Sequence, residues 1–175
     1  MAAQRKMVTA VFRDRINAER AFDRVHALGY ANSEINVLMS EKTRATYYTG
    51  QKKGKIEAGS KAAEGLGVGG AVGTAVGATL GAIVAAGTSI LLPGIGLIAG
   101  PIAGALAGAG AGAVTGGIIG VLVGWGIPEN NAKAYEAVLK QGGIVLGVVA
   151  RKGDDAKLKK ELEEAGGEDV VVCNC

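Results

Sequence analysis

The stretch GLIAGPIAGALAGAGAGAVTGGIIGVLVG, residues 96–124, decides the fold, because a glycine recurs in it at every fourth position. Eight glycines share this frame: Gly96, Gly100, Gly104, Gly108, Gly112, Gly116, Gly120 and Gly124. At the local frequency of glycine, eight in one frame is on the order of a one-in-ten-thousand event, so the pattern is a repeat and not a bias. A spacing of four follows one face of an α-helix as a slowly drifting stripe.

A second stripe of the same spacing precedes the first. It consists of Gly65, Gly69, Gly73, Gly77 and Gly81. Each interior glycine costs roughly 0.8–1 kcal/mol against alanine in a helix, so an isolated helix would not tolerate either stripe. Close backbone approach between helices offsets this cost, and small residues at this spacing are typical of helix packing in membranes. The stripes therefore predict two glycine-zipper helices, with Pro93 and Gly94 as the turn between them.

Both stripes lie in a segment without charge. The 64 residues between Glu64 and Glu129 contain no Asp, Glu, Lys or Arg. The same 64 residues contain 20 of the 30 glycines of the chain. Uncharged runs at 65–92 and 94–127 each exceed the ~20 residues that cross about 30 Å of hydrocarbon. Trp125, near the end of the second run, is predicted to lie at the membrane interface. The tip of the hairpin is itself apolar, which leaves spanning, re-entrant and oligomer-buried arrangements open.

Basic residues precede the uncharged segment. Lys52, Lys53, Lys55 and Lys61 are predicted to meet anionic lipid headgroups, at roughly 1 kcal/mol for each basic residue near the surface. A solvated linker is the alternative. No nucleic-acid recognition motif accompanies these residues, so we expect no nucleic-acid partner. Positive charge beside the segment places both flanks in the cytoplasm, with the hairpin in the inner membrane; a wholly cytoplasmic protein is the alternative.

The charged flanks are predicted to be α/β in character. Apolar, β-branched runs predict strands at 6–12, 35–39, 144–150 and 170–173. Capping residues and helical periodicity predict helices at 16–28, 128–141 and 154–165. The predicted fold class is α+β, with ferredoxin-like βαβ-αβαβ flanks, helices on one face of the sheet, and a long α-helical hairpin as interruption. The predicted division is 1–56 for the first half, 57–127 for the hairpin and 128–175 for the second half.

Catalytic and cofactor motifs are not found in the sequence. Residues 65–70 match G-x-G-x-x-G, but neither a preceding strand nor a following acid completes a nucleotide fingerprint. His26 is the single histidine and has no predicted partner. Cys173 and Cys175 form a poor disulfide framework, and they are predicted to lie in a strand-terminal or mobile tail and not at a metal. We therefore expect no enzyme activity, no cofactor, no metal and no identifiable small-molecule substrate.

The flanks resemble the bacterial heat-induced or general stress proteins, in which a short α/β unit is often interrupted by a glycine-zipper segment. The resemblance rests on motifs in both flanks: residues 11–14 (VFRD), 18–21 (AERA), 28–30 (LGY), 35–37 (INV), 126–129 (GIPE), Ala132, 135–136 (YE) and 142–145 (GGIV). It implies a stress-linked, non-catalytic protein without transferable catalytic residues. The zipper here is longer than in the simplest members.

Three functions follow as hypotheses. The leading one is a structural membrane protein of bacteria that self-associates through its glycine-zipper helices. The second is a soluble closed homo-oligomer whose hairpins point inward around a hydrophobic or lipid-filled interior. The third is an oligomeric pore, which the scarcity of polar side chains in the insert would make narrow or dry. Each of them has a second copy of the chain as a partner, and the first adds membrane lipid.

Overall fold

The computed structural model describes residues 5–47, 89–92, 96–99 and 117–174, which form an α+β unit. Within these ranges the elements follow in the order β1 Lys6–Phe12, α1 Arg15–Ala27, β2 Ile35–Met39, α2 Glu41–Tyr47, β3 Ser89–Leu92, β4 Gly96–Ala99, α3 Gly117–Gly124, α4 Glu129–Lys140, β5 Ile144–Ala150, α5 Asp155–Glu164 and β6 Glu168–Asn174. One turn of 3₁₀ helix, Asn32–Glu34, leads into β2. The α+β class predicted from the sequence is confirmed.

Helix α1 shows how local sequence sets the elements of the flanks. The carboxylate of Asp14 accepts a hydrogen bond from the backbone N–H of Asn17 at 2.8 Å, which satisfies a donor that the first helical turn leaves without a partner. The helix stops before Gly29, whose φ of +86° is a conformation that glycine adopts without a steric penalty. The predicted cap and stop of this helix are both confirmed.

The four long strands form one antiparallel sheet to which both flanks contribute. Its order is β2-β5-β1-β6, and the short strands β4 and then β3 extend it beyond β2. Strand β5, from the second flank, lies between β1 and β2 of the first: Lys6–Phe12 pairs along its whole length with Ile144–Ala150, and β2 pairs on the other side. Because the central strand comes from the other flank, neither flank can build this sheet alone.

Helices cover both faces of the sheet. Alternate residues of the strands point to opposite faces, so β1 sends Val8 and Phe12 to one layer and Met7 and Val11 to the other. The first layer is closed by α1 and α5, and the second by α3 and α4. The prediction of helices on one face alone is wrong, because both faces of β1 and β5 are apolar and each has to be removed from water.

The uncharged segment 65–128 is called the insert below, and its middle differs from the predicted helical hairpin. Residues Ser89–Leu92 and Gly96–Ala99 are antiparallel strands, and the second of them pairs with β2 through Val37, Leu38 and Met39. The prediction of a helix is therefore wrong at Gly96–Ala99, and Ser89–Leu92, at the predicted tip of the hairpin, is a strand. An exposed strand edge at β2 offers backbone donors and acceptors that a strand can satisfy, and helical periodicity in the sequence does not report such a partner. Pro93 and Gly94, predicted as the turn, lie between the two strands and outside the described residues.

The end of the insert belongs to the core of the α/β unit. Trp125 is fully buried, in one layer with Ile118, Val121 and Leu122 of α3. The prediction that Trp125 lies at a membrane interface is wrong, because the indole packs over the sheet beside Gly147, the residue of β5 without a side chain. The layer closed by α3 and α4 is called the second core below. Ile127 is buried in it, so the second core includes residues that precede Pro128 in the sequence.

Candidate functional site

The outer surface of α3 carries the last two glycines of the stripe, Gly120 and Gly124. Ile118, Val121 and Leu122 are buried against the sheet, whereas Gly124 is exposed and Gly120 is half-buried. Val123, between them on the outer side, leaves 46% of its surface in contact with solvent. The helix therefore holds to the unit by one side and turns the last two glycines of the stripe away from it. We call Gly120, Val123 and Gly124 the outer face of α3.

Glycines with positive φ stand at both ends of α3. Gly117 at its start and Gly126 just after its end have φ values of +63° and +83°. A side chain at Gly126 would meet the carbonyl group of Asn174, so the turn after α3 lies directly against the end of β6. Trp125 donates its backbone N–H to the carbonyls of Val121 and Leu122 and closes the helix. The end of α3 that carries the outer face is thus held close to the end of β6.

A charged cleft lies at the end of the sheet where β1 begins and β5 ends. Its volume is about 430 Å³, and a second cleft of about 310 Å³ adjoins it through Arg5, Ala150 and Arg151. The first cleft is lined by Arg5, Lys6, Ala150, Arg151, Lys152, Gly153 and Asp155. The pairing of Lys6 with Ala150 brings these distant parts of the chain together. Sequence reasoning missed the cleft, since no local motif connects residues about 145 positions apart.

Two of the cations of this cleft, Arg151 and Lys6, are engaged in structural contacts. Arg151 donates to both carboxylate oxygens of Glu34, at 2.7 and 3.0 Å, and to the carbonyl of Gly29 at 2.9 Å. Its guanidinium also lies 4.5 Å from the centre of the Tyr30 ring. Lys6 pairs with Asp155 at 3.1 Å. The contacts of Arg151 bind the loop after α1 to the loop after β5, and the contact of Lys6 binds β1 to α5.

The carboxylates opposite these cations have lowered pKa values. Hydrogen bonds from Arg151, and then from the backbone N–H of Ala31, lower the pKa of Glu34 below its ordinary 4.5. The hydrogen bond from Lys6 lowers the pKa of Asp155 in the same way. A carboxylate with a lowered pKa stabilises the folded chain above its unfolded pKa and loses that contribution as the pH falls through its folded pKa.

We expect the contribution of the Glu34 carboxylate to the free energy of unfolding to be lost in acid. In the Glu34→Gln variant the free energy of unfolding should fall less steeply between pH 5 and pH 3 than in the natural chain, because the variant has no carboxylate to protonate there. Urea unfolding, followed by the fluorescence of the single tryptophan, measures this slope. Glu163→Gln is the matched control, since Glu163 is an exposed acid on α5 whose lysine contact is long, 3.8 Å. Equal slopes in the Glu34→Gln variant and the natural chain would contradict the prediction.

A buried tyrosine joins the second core to the edge of the sheet. The hydroxyl of Tyr135 on α4 donates to the carbonyl of Asp169 at 2.6 Å and lies 3.3 Å from the hydroxyl of Thr9. Burial raises the pKa of Tyr135 well above its ordinary 10, so the phenol keeps its proton. Asp169 is the non-glycine residue with positive φ, +48°, in the described part of the chain. The tyrosine thus links α4 to the bend in the backbone at Asp169.

The residues predicted as sites divide into two groups. Gly96 lies in β4, and Gly120 and Gly124 lie in α3. The remaining predicted site residues lie outside the described ranges: Gly65, Gly69, Gly73, Gly77, Gly81, Gly100, Gly104, Gly108, Gly112, Gly116, Lys52, Lys53, Lys55, Lys61, Pro93 and Gly94. Of the predicted packing surface, the structure therefore brings together only the two glycines of the outer face of α3.

Two further findings concern only the described ranges. In residues 5–47 and 117–174, together with the short strands, there is no cluster of three His, Cys, Asp or Glu side chains that could hold a metal ion. Across the same ranges no helix has the length and apolar content of a membrane span. Cys173 is buried in β6, where its thiol donates to the carbonyl of Met7 at 3.3 Å. The prediction of a strand-terminal position is confirmed for this residue.

Comparison with known proteins found no match for the chain among family models, curated proteins or solved structures.

Proposed function

We propose that this protein is a non-enzymatic structural protein that binds the membrane and self-associates through its glycine-striped segment. The observation that carries the proposal is the orientation of α3. The apolar side of α3 packs against the sheet. Gly120 and Gly124, the end of an eight-glycine stripe, face away from the unit. A bare glycine surface permits close approach of another backbone, and dispersion and Cα–H···O contacts are gained only at that distance.

The uncharged segment supports membrane binding. Between Glu64 and Glu129 no charged side chain would have to be taken into hydrocarbon, where each costs roughly 2.5–3.5 kcal/mol or more. Lys52, Lys53, Lys55 and Lys61 precede the segment and complement anionic headgroups. The proposed location is the inner membrane of a bacterium, with the α/β unit on the cytoplasmic side. The proposed link to stress rests on the family resemblance of the flanks.

The pairing of β4 with β2 favours entry into the membrane from one side. Only 17 residues separate Ala99 of β4 from Gly117 of α3, whereas crossing a bilayer and returning takes about 40. Since both of these ends are held on the same sheet, the length of this stretch is compatible with a re-entrant position and not with an out-and-back span. Of the 41 residues between Tyr47 and Ser89, only the 24 at 65–88 are uncharged, which is enough for one crossing and too few for two. We therefore propose that the segment is embedded in one leaflet.

For the flanks we propose a ferredoxin-like arrangement. The order β2-β5-β1-β6, with antiparallel neighbours, supports it, as does the position of α1 and α5 on one face. The layer of α3 and α4 on the opposite face is an addition to that arrangement. It is this added layer that carries the outer face of α3, so the proposed packing surface is joined to the sheet through a buried apolar layer.

The test combines flotation with a measurement of particle mass. The full-length protein is mixed with vesicles of phosphatidylethanolamine and phosphatidylglycerol, and the particle in detergent is sized by light scattering. We expect flotation with the vesicles and a mass of several chains. The double variant Gly120→Leu, Gly124→Leu should lower the mass by at least twofold, because leucine keeps the helix and blocks close approach.

Val123→Leu is the matched control, because it lies between the two glycines on the same exposed surface and leaves both of them in place. It should keep the mass of the natural chain. Trp125 fluorescence reports whether the second core is intact in each variant. A detergent-free, soluble monomer that does not float would overturn the proposal.

A soluble closed homo-oligomer is the second candidate, and the β3–β4 strands favour it. They keep the middle of the insert at the edge of the sheet, at Val37, Leu38 and Met39, and not at a distance from the unit. Sedimentation without detergent separates the two candidates. A discrete soluble particle that yields lipid on extraction supports the closed oligomer, and a protein that needs detergent to remain in solution supports the membrane form.

A further inference from the structure

One end of the sheet lies next to the points where the chain passes into the insert. Phe12 of β1 pairs with Ile144 of β5, which pairs on its other side with Met39 of β2. Met39 in turn pairs with Leu97 of β4, which belongs to the insert. Helix α2 follows Met39 after one residue and ends at Tyr47, and from there the sequence leads to the insert. We call this end of the unit the insert end.

An exposed isoleucine stands at the insert end. Ile16 lies in the first turn of α1, four residues after Phe12, and 65% of its surface is exposed, more than for any other large hydrophobic side chain in the described part of the chain. One cleft of about 250 Å³ is lined by Arg15 of α1 and by Lys42 and Thr46 of α2, so the two helices begin side by side. Single exposed apolar residues are common on protein surfaces, and it is the place of Ile16 beside the insert that points to a partner.

Two cations near Ile16 have no ion pair in the described part of the chain. Arg20 lies one turn further along the same side of α1, where it donates to the amide oxygen of Asn17 at 3.3 Å. Lys42 is exposed on α2. Three other basic residues here are already neutralised within the chain: Arg13 by Glu168, Arg15 by Glu19 and Arg44 by Glu41. Charge complementarity to an anionic surface therefore comes from Arg20 and Lys42.

Chain length limits how far the insert end can lie from the proposed membrane segment. Lys52 follows Tyr47 by five residues, which span at most about 18 Å even when fully extended. The proposed function places Lys52 and Lys53 at lipid headgroups, so α2 has to end within that distance of them. Leu92 of β3 and Gly96 of β4, both in the insert, pair with each other at the insert end. Two separate parts of the chain thus hold this end close to the membrane.

We propose that the insert end docks on the anionic membrane surface, with Ile16 among the lipids and with Arg20 and Lys42 at the lipid phosphates. The inference rests on the proposed function and adds to it the orientation of the α/β unit and the residues that hold it. Interfacial binding of this kind combines buried apolar area with attraction to anionic lipid. The far end of the sheet, at Lys6 and Ala150, faces away from the membrane.

Quenching of a fluorophore by spin-labelled lipid measures which end lies at the membrane. The background is the full chain with Cys173→Ala and Cys175→Ser, bound to vesicles of phosphatidylethanolamine and phosphatidylglycerol. A fluorophore is attached through Thr46→Cys at the insert end or through Lys152→Cys at the far end, both of them exposed positions. Lipid labelled near its headgroup should quench the first several-fold more strongly, because the seven residues of β1 separate the two ends by about 20 Å.

A second variant tests the role of Ile16 itself. Ile16→Ser in the Thr46→Cys chain should reduce the quenching roughly twofold or more, because burial of a whole isoleucine side chain favours an equilibrium by about a factor of ten or more. Val172→Ser is the matched control, since Val172 is an exposed hydrophobic residue on β6, and it should leave the quenching unchanged. Far-ultraviolet circular dichroism checks that each variant is folded.

The two free cations are tested as a pair. Arg20→Gln with Lys42→Gln should weaken the quenching at position 46, and replacement of phosphatidylglycerol by phosphatidylcholine should weaken it in the same way. Arg5→Gln with Lys152→Gln removes the same charge at the far end and should have no effect.

The outcomes separate the docking from the proposed function. Equal quenching at positions 46 and 152, or unchanged quenching in the Ile16→Ser chain, would overturn the docking and leave the proposed function standing as long as the natural chain floats with vesicles. A lower particle mass of Ile16→Ser in detergent would assign the insert end to a second copy of the chain and would also overturn it. A natural chain that does not float would overturn the proposed function, and the docking with it.

Discussion

Replacement of Trp125 by alanine is expected to lower the free energy of unfolding by about 3–5 kcal/mol, the usual cost of removing a large aromatic side chain from a core. The indole is fully buried and packs in one layer with Val121, Leu122 and Tyr135. Since whole domains are stable by only about 5–15 kcal/mol, this loss is a large part of the total. Its ring nitrogen has no hydrogen-bond partner in the described residues, so the cost is one of packing.

Val123→Ala is the control for this prediction, because Val123 lies two residues earlier, in α3, and 46% of its surface is exposed. It should change the free energy of unfolding by less than about 0.5 kcal/mol. Urea unfolding followed by far-ultraviolet circular dichroism measures both variants, since the alanine variant has lost the fluorescent residue. A membrane-interface position for Trp125 would give the two variants similar stabilities in detergent, and that result would contradict the buried placement.

The second large effect is expected for Gly143→Ala. A side chain at this position would lie 2.7 Å from the carbonyl oxygen of Phe12 and 2.9 Å from that of Val138, and it would also meet a methyl group of Val138. Two of the three obstacles are backbone atoms, which cannot rotate away as the end of a side chain can. We expect a loss of about 3 kcal/mol, the upper end of the usual cost of overpacking.

Gly153→Ala distinguishes overpacking from backbone strain. Gly153 has a φ of +89° and open space around the position of an added side chain. Its alanine variant should lose only about 1–2 kcal/mol, the cost of the left-handed conformation for a residue with a side chain. Tryptophan fluorescence in urea measures both variants. Equal losses for the two glycines would show that close packing behind Gly143 contributes nothing.

The strands and helices of the flanks could be read from the sequence because their signals are local. The predicted bounds of β1, β2 and β5 agree with the structure, and α1 differs by one residue at each end. Apolar runs, the Asp14 cap and the glycines after each helix are all within a few positions of the backbone they control. Strand β6 is predicted only in part, as 170–173, because its first residues form a bulge that pairs with a distant strand.

The contacts between distant residues could not be read in the same way. The glycine periodicity around Gly96 favours a helix. Residues Gly96–Ala99 nevertheless form strand β4, because β2 offers an open edge to pair with. Trp125 follows an apolar run. The sequence pattern of a tryptophan after an apolar run is the same for a residue at a membrane interface and for a residue in a protein core. The charged cleft at Arg151 joins residues from four separate elements, none of which carries a motif for the others.

By itself, the sequence determined where the chain is charged, where its glycines repeat, and which local segments of the flanks become strands and helices. Tertiary structure alone decided that both faces of the sheet are covered, that the end of the insert belongs to the core, and that Gly120 and Gly124 face outward. The physical reason is that local backbone preferences act over a few residues. The burial of an apolar side chain, by contrast, depends on which distant surface is free to receive it.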